Sequence, residues 1–182
     1  QFTASAGFSG EEYSSAKIML LSDVFEKFGG DVLFNVEIKD VGSVAETTEK
    51  TVAMIKEYGL ESSCYVTSFS YTALRTVKET DPKIKTALIT HIAALSSYSQ
   101  LSYIDAVSMN YIFVNQSVVN TVHSGGKKLF VWTVDDPDDI KQMIALGVDN
   151  IITNRPDRAA EIIDSGSLGD FFLTILEYVF SA

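Results

Sequence analysis

Residues 128–156 read KLFVWTVDDPDDIKQMIALGVDNIITNRP. Leu129 to Val134 form an apolar, β-branched run of strand length. Asp135-Asp136-Pro137 ends it, because proline fits the first turn of a helix and Asp138 and Asp139 then lie at the positive end of the helix dipole. Ile140, Met143 and Ile144 recur at helical spacing, and Gly147 is a stop signal before a second strand-like run at 148–153. Strand, helix and strand in so short a stretch make a βαβ unit with parallel strands. Asn154-Arg155-Pro156 repeats the helix-entry signal for a helix reaching Ile163.

Reading outward from this unit, similar apolar runs recur near 32–39, 63–68, 84–89 and 105–109, with starts about 20 to 30 residues apart. Residues 43–58 set Val44, Val52, Ile55 and Tyr58 on one stripe before Gly59, and Ser70 can cap a helix carrying Ala73, Leu74 and Val77 that ends before Asp81-Pro82. The stretch 90–103 is the least regular, so a short or irregular helix is expected there. These six βα units predict an α/β fold with outer helices. Two architectures satisfy the pattern. The length favours an open doubly wound sheet, since a TIM barrel needs eight strands. Yet no GxGxxG or GxxxxGK[ST] turn follows any strand, which removes the commonest reason for a nucleotide-binding open sheet.

The chain has 182 residues, 46% hydrophobic and 21% charged, as expected of one globular domain with a core. Its net charge of −10 argues against a nucleic-acid surface. The single cysteine, Cys64, sits in an apolar run and reads as a buried structural thiol. Residues 171–180 (FFLTILEYVF) are too short for a membrane helix and are expected to cover the core or mediate association. The first residues, Gln1 to Ser5, do not form a signal peptide and are expected to be a cut, not a natural beginning. The expected organisation is one incomplete domain: a lead-in and helix at 1–30, six βα units at 31–165, and an apolar helix at 166–182.

Chemistry concentrates on the first strand. Alternation along residues 33–39 puts Asn35, Glu37 and Lys39 on one face and Phe34, Val36 and Ile38 on the other. A carboxylate and an ammonium thus share the C-terminal end of a strand, where (β/α) barrels assemble active sites. The plain alternative is a same-face ion pair. Asp135, Asp136, Asp138 and Asp139 superficially suggest a metal cluster, but their place at a helix start favours capping. Ser68 has no His or Asp constellation to make it a nucleophile, and His91 and His123 read as surface residues outside function.

Three segments resemble the glycerophosphodiester phosphodiesterase family, metal-dependent TIM-barrel hydrolases. They are Asn35-Val36-Glu37-Ile38-Lys39; Thr67-Ser68-Phe69 with Ala73-Leu74 and Asp81-Pro82; and Val131-Trp132-Thr133-Val134-Asp135-Asp136-Pro137 continuing through Leu146-Gly147-Val148-Asp149 to Ile151-Ile152-Thr153-Asn154-Arg155-Pro156. The resemblance covers roughly residues 7 to 165 and implies a partial TIM barrel, strands three to eight of eight. It implies hydrolysis of glycerophosphodiesters to an alcohol and glycerol phosphate. Glu37 takes the place of a metal ligand for Mg²⁺ or Ca²⁺, Lys39 that of a phosphate contact, and Ser68, Phe69 and Trp132 that of substrate-binding residues. The family's His-Arg pair, Glu-x-Asp pair and second histidine have no counterpart here, and Asn154 stands where many relatives carry Asp. The resemblance therefore implies weak metal binding and no turnover by this chain alone, with a non-catalytic phosphate-binding remnant as the alternative. Two unpaired strand edges imply a homo-oligomer or a swapped assembly. Some relatives carry a membrane domain before the barrel, so membrane association of a parent protein is a further expectation.

Overall fold

The computed structural model describes residues 18–39, 42–91 and 100–164. Helix α1 (Leu21–Phe28) leads into β1 (Phe34–Ile38), α2 (Val44–Glu57), β2 (Cys64–Ser68), α3 (Tyr71–Thr80) and β3 (Lys85–Thr90). The chain continues through β4 (Ala106–Asn110), a 3₁₀ turn (Tyr111–Phe113), α4 (Gln116–Ser124), β5 (Lys128–Trp132), α5 (Pro137–Leu146), β6 (Asn150–Ile151) and α6 (Pro156–Asp164). The expected apolar helix at 166–182 lies outside the described residues, as do 92–99 of the least regular unit.

All pairings are parallel and the strand order is β1-β2-β3-β4-β5-β6. A doubly wound sheet reverses its order partway, at the point where its ligand binds. Here every strand lies beside its successor, which is the winding of a barrel wall. The chain is a partial TIM barrel, and the open-sheet alternative is excluded by this order. Among the described residues β1 and β6 are the two edges.

Local chemistry explains the elements. Ser43 and Ser70 accept from the backbone amides of Glu46 and Ala73 and so cap α2 and α3. Asp136 accepts from Asp138 N, Pro137 occupies the first helical turn, and Gly147 closes α5 at φ 80°, a left-handed conformation that favours glycine. The sheet's outer face packs on the helices in two clusters, one around Val107, Leu129 and Ile140, the other around Phe25, Val52, Ile55 and Val66. The inner face holds a smaller cluster of Tyr65, Ala87, Ala106 and Phe130, with the two rings edge to face at 5.0 Å.

The opposite, N-terminal end of the strands carries a repeated clasp. Asp105, just before β4, accepts from Thr86 N (2.8 Å) at the second position of β3 and pairs with Lys78 of α3 (2.7 Å) and Lys85 (3.7 Å). Asp149, just before β6, accepts from Leu129 N (2.8 Å) at the second position of β5 and pairs with His123 of α4 (2.8 Å) and Lys128 (3.7 Å). His123, expected as a solvated surface residue, is 41% exposed and bonds Asp149 at this end, away from the cavity.

Candidate functional site

A cavity of about 350 Å³ opens at the C-terminal ends of the strands, lined among others by Asn35, Glu37, Thr67, Phe69, Ser108 and Trp132. Each strand delivers its residue by alternation. In register, Glu37 faces Thr67, so both side chains rise on the inner face. Thr67 Oγ1 donates to Asn35 Oδ1 (2.9 Å), fixing the Asn35 amide beside the carboxylate. Phe34, Val36 and Ile38 turn the other way into the helix-facing cluster.

Glu37 and Lys39 keep one face, with Nζ 3.6 Å from the carboxylate and side-chain exposures of 39% and 71%. The pair is open to solvent on an edge strand, so as a stabilising ion pair it contributes little. Trp132 lines the cavity from β5, and its indole Nε1 is buried with no hydrogen-bond partner among the described residues. Phe69 lines it from the end of β2 while 41% exposed.

Ser68, which the resemblance puts with the substrate-binding residues, is placed elsewhere. It is fully buried, and its hydroxyl donates to Ile38 O (2.8 Å) and accepts from Ser70 N (3.1 Å). The hydroxyl joins β1 to the start of α3. The inner-face residue of that strand is its neighbour Thr67, and register with Glu37 is the signal that identifies it. Ser108 is likewise legible as the one hydroxyl in the apolar strand β4.

The four aspartates after β5 do not converge on a cation. Asp135 accepts from Asn154 N (2.7 Å), Asn154 Nδ2 (3.0 Å) and Thr153 Oγ1 (2.9 Å), and Asp136 caps α5. The Asn154 side-chain and backbone donors, with help from Thr153 and Arg155, hold the Asp135 carboxyl below the usual carboxylate range. Asp139 accepts from Tyr111, and that bond, with burial and the neighbouring carboxylates, pushes the phenol up. Asn154, expected to cap the last helix, instead turns its amide to Asp135, and α6 begins at Pro156.

A divalent metal would find one hard ligand here, Glu37, with an ammonium beside it. Among the described residues no three His, Cys, Asp or Glu side chains are grouped to hold a metal ion. Ca²⁺ takes six or more oxygens and Mg²⁺ a near-octahedral set, so these residues do not fit such an ion by themselves. No helix among the described residues is long and apolar enough to cross a membrane.

Comparison with known proteins matches residues 3–158 to the model of the glycerophosphoryl diester phosphodiesterase family. A glycerophosphodiester phosphodiesterase of Caldanaerobacter subterraneus is 33% identical over 161 residues, covering 86% of this chain and 66% of that protein. A glycerophosphodiester phosphodiesterase structure from Parabacteroides distasonis superposes with a TM-score of 0.66 at 22% identity, covering 79% of this chain and 62% of that one. One from Agrobacterium tumefaciens gives 0.67 at 19% identity, with 80% and 61% covered. At such identities the structures speak for the fold alone. The chain spans 66% and 63% of the length of the first two curated relatives it matches, just under two thirds of each.

Proposed function

Because the chain belongs to the glycerophosphoryl diester phosphodiesterase family, we propose that its cavity is the phosphodiester-binding part of a glycerophosphodiester hydrolase. The observation that carries this reading is Glu37 lining a cavity walled by Phe69 and Trp132 at the C-terminal strand ends, with Lys39 Nζ 3.6 Å from its carboxylate. Lys39 supplies a mobile positive charge to a phosphate oxygen. Asn35 and Thr67 offer polar contacts beside it. Phe69 and Trp132 form the apolar wall against the glycerol or alcohol portion. The divalent metal implied by the resemblance, Mg²⁺ or Ca²⁺, would take Glu37 as one ligand. The remaining ligands and the acid–base pair have no counterpart among this chain's described residues, which favours a second reading: binding of the phosphate group without turnover by the 182-residue chain.

The test is calorimetric titration of sn-glycerol 3-phosphate with and without Mg²⁺ or Ca²⁺, beside an assay for glycerol phosphate release from glycerophosphoglycerol. We expect binding that Lys39→Ala weakens about tenfold, the scale of a charged hydrogen bond. Binding without release supports the second reading; release at enzyme-like rates establishes hydrolysis by this chain. No binding by the unmodified chain sinks both.

A further inference from the structure

His91, just after β3, is exposed at the C-terminal end of the strands and touches Phe69 and Trp132, two residues that line the cavity. Its ring stacks on Phe69 (centroids 5.2 Å, interplanar 23°) and meets Trp132 edge-on (5.4 Å, 85°). Those two side chains come from different strands, β2 and β5, so the imidazole spans the gap between them. The Phe69 contact holds the imidazole by one face, and the perpendicular Trp132 contact fixes its orientation. Histidine is also the side chain that ordinarily changes charge between about pH 5 and 8.

We propose that His91 is a substrate-binding residue of this cavity, offering an imidazolium N–H to an oxygen of the phosphodiester group. The proposal rests on the phosphodiester reading above and adds a second cation to it, from β3, beside that of Lys39 from β1. The ring's two neighbours carry no charge. The charged or titratable groups at this end, among the described residues, include Glu37 and Lys39 at β1, Glu46 in the first turn of α2, Tyr71 after β2, Tyr111 after β4, Asp135, Asp136, Asp138 and Asp139 after β5, and Arg155 and Asp157 after β6. An imidazolium adds positive charge to an acidic rim, so anion binding strengthens as pH falls.

The chain has only two histidines, and His123 sits on Asp149 at the opposite end of the strands. Each imidazole can therefore be titrated by NMR in the intact protein, with His123 as internal reference. Glycerophosphoglycerol is the probe, because its single diester charge is constant over this range. Saturation with it should raise the half-titration pH of His91 by about one unit and leave His123 unmoved, since a tenfold preference for the imidazolium and a one-unit rise are the same quantity. Affinity should correspondingly fall about tenfold from pH 5.5 to 8, and His91→Gln should flatten that dependence while retaining the weaker, high-pH affinity. Binding that leaves the His91 titration in place overturns this inference and spares the phosphodiester reading. Failure of the unmodified chain to bind at either pH overturns both.

Discussion

Cys64 opens β2 with its side chain 1% exposed against the helix layer, and burial, followed by the charge of Glu61, pushes its thiol up to about 12. A thiolate is the reactive form, so the folded chain should resist a maleimide that labels it quickly in denaturant. Linkage gives this a pH signature. An unfolded thiol ionises near pH 8.5, well below the folded one, so the unfolded state loses its proton first. The Cys64 contribution to stability is therefore complete below that value and declines as pH rises toward 12. Urea unfolding between about pH 8 and 11 should show a steeper loss for the natural chain than for Cys64→Ala. At the same scale, Ser68 and Thr67 show how a position can match a family motif while its side chain points away from the site. A resemblance carries over places in the chain. Only the two-residue period of the strand, tied by register to Glu37, says which of the two hydroxyls looks inward.

The elements were legible where punctuation was strong. Around α5, Asp136, Pro137 and Gly147 each perform the capping or stopping role that their residue types suggest. Removing the Asp136 cap should cost about 1 kcal/mol, read as a lower urea midpoint for Asp136→Ala with an unchanged slope. What periodicity could not supply was strand order, because open sheets and barrels share the same alternation of elements. The strand β6 itself is only Asn150–Ile151, with Asp149 and Ile152 extending its backbone bonding to β5 on either side. The loops beyond that short strand are fastened by Asp135 to Thr153 and Asn154, a contact between separate βα units that no local pattern announces. Substituting Asn154→Asp sets a second carboxylate against Asp135 and removes a donor, so the thermal midpoint at neutral pH should drop. Acidification should narrow the gap to the natural chain, as one of the two carboxyls takes up a proton; circular dichroism melts at two pH values check this.

For the whole molecule, the two strands that lack a second neighbour among the described residues, β1 and β6, meet a net charge of −10. An unpaired edge offers a row of backbone donors and acceptors to another copy, while like charge holds copies apart. Self-association should therefore rise with both protein concentration and salt, as screening weakens the repulsion. Light scattering that shows a monomer under all such conditions would mean the edges are capped by other parts of the chain.

The twin clasps of Asp105 and Asp149 carry a lesson for anyone wishing to re-engineer this scaffold. Both tie an even-numbered strand to the odd-numbered one before it, through the same backbone position, with one helix side chain and one strand lysine on each acid. The natural module is therefore a doublet of βα units, not a single one. A chimera joined between β4 and β5 inherits each acid together with the amide it grips; one joined after β3 or β5 divorces them and should express less well.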